Sequence, residues 1–171
     1  RLRSRGLGDV YKRQVPEDYT REELRQDLLC YTSPVLKEDL VLTGDMTAEL
    51  YISSDAPDTD FVVRVTDVDE NGRSVKLADG LLSARYRNGF AQSEFLQEGE
   101  IVCLKIRTTK LSNCFRKGHR IRVTVTSSAK NFIFPNSNTR EGFASARTVV
   151  AHNRVYHGGL HASRLTVRVE P

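Results

Sequence analysis

The sequence predicts an all-β protein built as a sandwich of two sheets. Roughly eight to ten short segments alternate apolar and polar residues with the period of two that gives a strand one buried face. Turn-forming residues separate these segments, and no window shows the period of an amphipathic helix. The polar faces are rich in Thr, Arg and Lys, which suits sheets that each keep one face in water.

The clearest element is the stretch from Thr47 to Gly72. Its first half is apolar at every even position from 48 to 52, and its second half at every odd position from 61 to 65. The loop formers SDAPDTD occupy 54–60, and the pair Asn71-Gly72 favours a tight hairpin turn. We therefore predict two strands, each burying one face, with a loop between them and a hairpin after the second.

The residues before this stretch predict a less regular start. Residues 15–27 form a charged leading segment with one helical turn at Glu22–Gln26. A first strand is predicted at Leu28–Thr32 and is closed by Ser33-Pro34, because proline cannot donate to a strand ladder. Short apolar groups follow at Val35-Leu36 and Leu40–Leu42.

The residues after Gly72 predict alternating strands and loops. The predicted strands are Val75–Leu77 and Leu81–Arg87 around an Asp79-Gly80 turn, then Ile101–Thr108, Ile121–Thr126, Thr148–Tyr156 and Ala162–Val169. The predicted connections are Asn88–Gly99, Asn113–Gly118 and a long irregular loop at Asn131–Gly142.

Length and cysteine content set further bounds. A chain of 171 residues makes one domain of ordinary size. It has no apolar run of about 18 residues, so we predict no membrane-spanning helix. The chain has three cysteines, Cys30, Cys103 and Cys114, and their wide spacing argues against a disulfide framework and against a metal site. Free cysteines of this kind favour a reducing, cytoplasmic location. We expect each of them to be buried as a small apolar residue.

The positive charge is confined to the first fourteen residues. The chain carries 26 basic and 22 acidic side chains, and residues 1–14 hold five of the former and one of the latter, which leaves 21 of each. Residues 4–14 read SRGLGDVYKRQ, the translation of a nucleotide string that resembles a transposase-based sequencing adapter. We expect residues 1–14 to be non-native and the true coding sequence to begin near Val15. The net charge therefore gives no argument for a nucleic-acid partner.

A series of short motifs runs in a set order through the chain. They are LCYTSP at 29–34, LTG at 42–44, AELYISSDAPDTDF at 48–61, VTDV at 65–68, LADG at 77–80, ARYR at 84–87, FRKGHRIRV at 115–123 and SRL at 163–165. Their order and spacing resemble the C-terminal jelly-roll domain of X-Pro dipeptidyl-peptidases and of the cocaine-esterase-like (CocE/NonD) serine hydrolases. One departure lies at Ala129–Ile133, in a loop that otherwise keeps the Asn-x-Asn-Thr ending at Asn136–Thr139, and it leaves substrate preference open.

The resemblance implies a galactose-binding-domain-like jelly-roll β-sandwich over residues 28–171. It also implies that an α/β-hydrolase domain is missing upstream, where a Ser on a strand-to-helix elbow, a His and an Asp would carry out catalysis. The jelly roll would pack beside that domain and help to wall the cleft for a small ester, amide or peptide substrate. A homo-oligomer is left open.

Histidines are the first candidates for chemistry within this chain. His119 is either a catalytic base or a structural histidine at a strand start, hydrogen-bonded to a nearby carboxylate, and the lack of a serine motif favours the second. His152, His157 and His161 cluster near the C-terminus. The last two would suit zinc only on a helix, which Gly158-Gly159 opposes.

Acidic loop residues and arginines are the remaining candidates. The acidic residues could hold calcium, but their commoner role is to accept hydrogen bonds from turn N–H groups: Asp55, Asp58, Asp60, Asp67 and Asp69. The arginines are expected on a solvated strand face or in interdomain ion pairs: Arg85, Arg87, Arg120 and Arg122.

We assign no catalytic residue to this chain, because it has no G-x-S-x-G motif. We assign no cofactor-binding or metal-ligating residue either, because the sequence has no Gly-rich phosphate loop and no spacing typical of metal ligands. The preferred hypothesis is the accessory domain of a serine esterase, acylase or dipeptidyl-peptidase, inactive by itself. The alternative is a free-standing carbohydrate-binding jelly roll. The chain has no Trp for sugar stacking, and Tyr51 and Tyr86 are predicted to be strand residues.

Overall fold

The computed structural model describes residues 17–129 and 133–167 and confirms the all-β prediction. Eleven strands are described: β1 (Leu28–Thr32), β2 (Leu40–Gly44), β3 (Thr47–Ser54), β4 (Asp60–Val68), β5 (Ser74–Ser83), β6 (Val102–Arg107), β7 (Leu111–Phe115), β8 (Arg120–Thr126), β9 (Asn153–Gly158), β10 (His161–Ala162) and β11 (Arg164–Thr166). Three single 3-10 turns lie at Glu22–Leu24, Ala84–Tyr86 and Gly142–Ala144. No helix in the described part of the chain has the length and apolarity that a bilayer crossing requires.

Two antiparallel sheets form the sandwich. The first has the order β1-β8-β4-β5, and in the second β6 pairs with one edge of β3 while β9 and β11 share the other. The main hydrophobic cluster lies between them and draws Leu50 and Ile52 from β3, Leu104 from β6, Phe61 from β4 and Val125 from β8. Burial of apolar side chains from both sheets is what holds the two layers together.

The stretch from Thr47 to Gly72 folds as predicted, with one difference. The hairpin after β4 closes with hydrogen bonds between Asp69 and Arg73, and Gly72 has a φ of +83° that glycine accepts without strain. The expected wet face of β4 is instead buried, Arg64 and Thr66 included. The reason is that the leading segment folds back over this face, where the Tyr19 ring stacks on Arg64 and Glu23 accepts a hydrogen bond from Thr66.

The predicted turn at Asp79-Gly80 is wrong. Both residues lie inside one continuous strand, β5, opposite Arg64 and Val63. Gly80 is required there for another reason: a Cβ would lie 2.5 Å from the carbonyl oxygen of Arg107. The glycine therefore marks a close approach of β6 to β5 and not a chain reversal.

Several element boundaries also differ from the predictions. Residues 111–115 form β7 in place of part of the predicted 113–118 connection, because they pair with β2 in a separate two-stranded sheet. Residues 84–86 form a 3-10 turn, Val35-Leu36 lies outside the strands, and the strand predicted at 148–156 begins only at Asn153. The cysteines are less buried than expected: Cys30 is exposed, and Cys103 and Cys114 are half-buried free thiols.

Some predictions fall outside the described residues. These are the segment at 1–14 that is expected to be non-native, the first two residues of the leading segment, residues 131–132 of the long loop, and the end of the last strand at 168–169.

Candidate functional site

The inner face of β1 is only partly covered by the second sheet. Leu29 pairs with Val125 and Tyr31 with Val123, so these side chains point toward the core side of the first sheet. Yet Leu29 and Tyr31 remain 43% and 37% exposed. The sandwich is therefore open along β1. The contact between the two sheets here is polar: the Tyr31 hydroxyl lies 2.7 Å from Nε2 of His157 on β9.

Further apolar side chains line this opening. A cleft of about 550 Å³ is bounded by Leu29, by Pro135 and by Val149 and Val150. Val150 is 76% exposed. Phe134, next to Pro135 in the chain, is 88% exposed. We call the surface formed by Leu29, Tyr31, Val149 and Val150 the open edge.

A buried polar network positions the loop that carries Phe134. Asn136 Nδ2 donates hydrogen bonds to Asp58 Oδ2 at 2.7 Å and to Asp60 Oδ1 at 2.9 Å. Asp60 also accepts a 2.6 Å hydrogen bond from the Ser83 hydroxyl. Because one amide bridges two buried carboxylates, the loop is tied directly to the start of β4.

Arg85 completes the network from the other side. Its Nε lies 2.7 Å from Asp58 Oδ2, and its terminal nitrogens donate to the backbone carbonyls of Thr139 and Arg140. The guanidinium therefore connects the loop before β4 with the loop after β8. A planar group with five donors is suited to this role.

The segment that bears Val149 and Val150 is held by hydrogen bonds at both ends. Asn138 Nδ2 donates to the Val149 carbonyl at 2.7 Å, and the Val149 N–H donates to the Ser137 carbonyl at 2.9 Å. At the other end, the His152 N–H donates to Asp55 at 2.7 Å. These contacts present two exposed valines on a fixed backbone.

The histidines predicted as candidates all have protein contacts. His119 Nδ1 lies 2.9 Å from Asp67 Oδ1, the carboxylate contact expected of a structural histidine. His152 pairs with Asp55, His157 with Tyr31, and the His161 ring lies beside the Tyr51 ring. The described residues contain no group of three or more His, Cys, Asp or Glu side chains that could hold a metal ion.

The acidic candidates are likewise engaged by protein donors. Asp69 accepts hydrogen bonds from the N–H groups of Asn71 and Arg73 in its own turn. Asp58 and Asp60 lie in the buried network described above. Hydrogen bonds of this kind fit carboxylates that stabilise turns and networks better than carboxylates that coordinate calcium.

Three of the four arginines expected on a solvated strand face or in interdomain ion pairs pair with carboxylates of this chain. Arg85 pairs with Asp58, Arg87 with Glu94, and Arg122 with the buried Glu23. Arg120 is exposed and donates to the Ser33 carbonyl. The aromatic rings weighed for sugar binding are half-buried, and Tyr86 lies in a 3-10 turn, with its ring 5.5 Å from that of Phe90.

Sequence reasoning missed the open edge. Leu29 and Tyr31 look like ordinary buried strand positions, and only the arrangement of β9 shows that they are half covered. One signal was available: Val149, Val150 and Ala151 are consecutive apolar residues that break the alternation expected of a half-buried strand.

Comparisons with known proteins agree on one family. The family model described as the X-Pro dipeptidyl-peptidase C-terminal non-catalytic domain matches residues 4–166. Cocaine esterase from Rhodococcus sp. (strain MB1 Bresler) is 36% identical over 159 residues, which is 90% of this chain. The chain spans only 27% of the length of that relative.

Solved structures share the fold. An aminopeptidase from a marine sediment Thaumarchaeota archaeon superposes with a TM-score of 0.90 at 24% identity, over all of this chain and 30% of its own. An alpha-amino acid ester hydrolase superposes with a TM-score of 0.85, also at 24% identity, over 91% of this chain and 27% of its own. At this level of identity the likeness shows the fold alone.

Proposed function

The chain belongs to the family of X-Pro dipeptidyl-peptidase C-terminal non-catalytic domains, and on that premise we propose that it docks through the open edge onto a hydrolase domain that precedes it in the intact protein. The observation that carries the proposal is the half-covered inner face of β1. Soluble monomers seldom leave large apolar patches in water, and such patches usually mark a contact surface.

The chemistry of the intact protein would lie in the preceding domain. There a serine hydroxyl would attack the acyl carbon of an ester or amide, a histidine would move the proton, and an aspartate would orient the histidine. The present chain supports this division of labour. His119 and Asp67 form a pair, but among the described residues no serine hydroxyl is hydrogen-bonded to His119.

The structure also supports a role in shaping the substrate cleft. The 133–139 loop and the 149–151 segment are held by side-chain hydrogen bonds, yet they present Phe134 and Val150 to the outside. Such a surface can form one wall of a cleft whose other wall is the hydrolase domain. The substrate would be a small ester, amide or peptide.

Amide hydrogen exchange tests the docking directly. The exchange of this chain alone is compared with that of the same residues in the longer gene product. We expect slower exchange in the longer product at 28–32 and 148–153, with residues 40–44 of the separate β2–β7 sheet as the internal control. Equal exchange at 28–32 in the two samples would contradict docking at the open edge.

An ester assay tests the assignment of catalysis elsewhere. The 171-residue chain should hydrolyse a nitrophenyl ester no faster than its heat-denatured control. Turnover well above that control would place catalytic groups in this chain and overturn the division of labour.

A further inference from the structure

A second cleft lies on the opposite face of the first sheet from the core. It has a volume of about 760 Å³ and lies between the leading segment and the outer faces of β4 and β8. Tyr19 and Glu23 line it from the leading segment, and Arg64 and Thr124 line it from the strands. It is distinct from the open edge, since Arg64 and Thr124 lie on the outer side of the sheet.

Arg64 is a residue of this cleft whose hydrogen bonding is incomplete within the fold. The residue is only 8% exposed, and its guanidinium carbon lies 4.0 Å above the centroid of the Tyr19 ring. Its Nε is buried and has no hydrogen-bond partner. A buried charged donor without an acceptor is costly, and stacking on an aromatic ring offsets only part of that cost.

The other cationic groups of the cleft, Arg25 and Lys76, already have partners. Arg25 is paired with Asp27, and Lys76 with Glu17 and Asp79. Glu23 accepts hydrogen bonds from Arg122, Thr66 and Ser74. Among the described residues, no carboxylate oxygen lies within 4.0 Å of the Arg64 guanidinium, so the cleft offers an unmatched cation.

We propose that this cleft binds a carboxylate, with the Arg64 guanidinium as its principal partner. The planar fork of arginine matches a carboxylate with two parallel hydrogen bonds, and Nε–H is one of the donors that such a pair uses. The Tyr19 ring fixes the plane of the fork before the ligand arrives. The carboxylate could belong to a small acid in solution or to an acidic side chain of a neighbouring domain.

The site does not depend on the proposed function, because Arg64, Tyr19 and the cleft are all contained in this chain. Glu17 lines the same cleft as Arg64, and its carboxylate is expected to oppose the ligand because like charges repel. Removing that charge should therefore strengthen binding and not weaken it.

Acetate titration of the 171-residue chain tests the proposal. It is followed by NMR through the Arg64 Nε–H resonance and through the backbone amide resonances of Tyr19 and Thr124, which line the cleft and remain in the variants that lack this arginine. At constant ionic strength, the Arg64 signal should shift and saturate with a dissociation constant in the millimolar range. Arg64→Gln should abolish the saturable response, and Glu17→Gln should tighten it several-fold. Arg116→Gln removes an exposed guanidinium paired with Asp39 and should leave it unchanged.

A shift that stays linear in acetate, or one that persists in Arg64→Gln, would overturn the proposal. If Arg64→Gln does not fold, Arg64→Lys keeps the charge without the fork and should weaken binding at least several-fold. The same titration of the longer gene product distinguishes the two possible sources of the carboxylate. If the Arg64 signal is already at its bound position and does not respond to acetate, the carboxylate belongs to an acidic side chain of a neighbouring domain. A signal that still titrates indicates a small acid.

Discussion

Arg85 Nε lies 2.7 Å from Asp58 Oδ2, and the two side chains are only 11% and 1% exposed. This buried ion pair joins the loop before β4 to the loop after β8, and Asn136 extends it to Asp60. The loops beside the open edge are therefore held in place by a charged hydrogen-bond network inside the protein. The shape of the open edge should depend on that network more than on the apolar side chains that it presents.

Asp58→Asn should destabilise the chain by about 3–5 kcal/mol, because it leaves the Arg85 guanidinium buried without its counter-charge. Urea unfolding followed by circular dichroism measures the change. Asp39→Asn is the matched control, since it removes a carboxylate from the exposed pair with Arg116. It should leave the unfolding midpoint within error of the wild type. Similar losses in the two variants would show that burial of the Asp58 pair carries no special weight.

Gly80→Ala should destabilise the chain by about 1–3 kcal/mol, because the new methyl group would overlap the Arg107 carbonyl and force β5 and β6 apart. Gly158→Ala is the control: Gly158 also lies in a strand, but a Cβ there would contact nothing within 4 Å. Thermal unfolding of both variants gives the comparison. An unchanged melting temperature for Gly80→Ala would mean that the two strands do not approach as closely as described.

The Asp55–His152 contact predicts a pH effect of known sign. The His152 backbone N–H and then its side chain hold the pKa of Asp55 below the ordinary value. A carboxyl whose folded-state pKa is lowered stabilises the fold above its unfolded pKa of about 4, and this stabilisation is lost as the pH falls through the folded pKa. Carbon-detected NMR titration of Asp55 should report the lowered pKa. His152→Ala keeps the backbone N–H and should therefore move the pKa only part of the way back toward the ordinary value; an unmoved pKa would contradict the contribution of the His152 side chain.

The open edge should make the isolated chain self-associate, since it exposes apolar surface that the preceding domain would otherwise cover. Val150→Lys should shift sedimentation toward the monomer and raise the solubility limit several-fold. Phe90→Lys is the control, because Phe90 is equally exposed at 79% but lies outside the open edge. A monomeric wild type at high concentration, or an equal response in the two variants, would count against this surface.

The sequence was sufficient for much of the fold, because period-two alternation is a local signal. The buried faces of β3 and β6 follow from it directly. It was insufficient where a residue has its role through a distant partner. Gly80 has the appearance of a turn residue until Arg107 is seen against it, and Arg64 appears solvated until the leading segment covers it.

The candidate site was less predictable than the fold for the same reason. The motif at 54–60 indicated a loop rich in turn formers, but the ion pair between Asp58 and Arg85 joins residues from two loops. Exposure at Leu29 and Tyr31 depends on how far the second sheet reaches, which is a property of β9. Neither relation leaves a periodic pattern in the sequence.

Sequencing the locus across Gln14 and Val15 decides whether a hydrolase domain precedes this chain in the gene. We predict that SRGLGDVYKRQ is absent from an independent read and that the frame continues upstream into a G-x-S-x-G elbow, followed by an aspartate and a histidine. A start codon or an export signal immediately before Val15 would contradict it. The chain would then be a free-standing jelly roll, and the open edge would need another occupant.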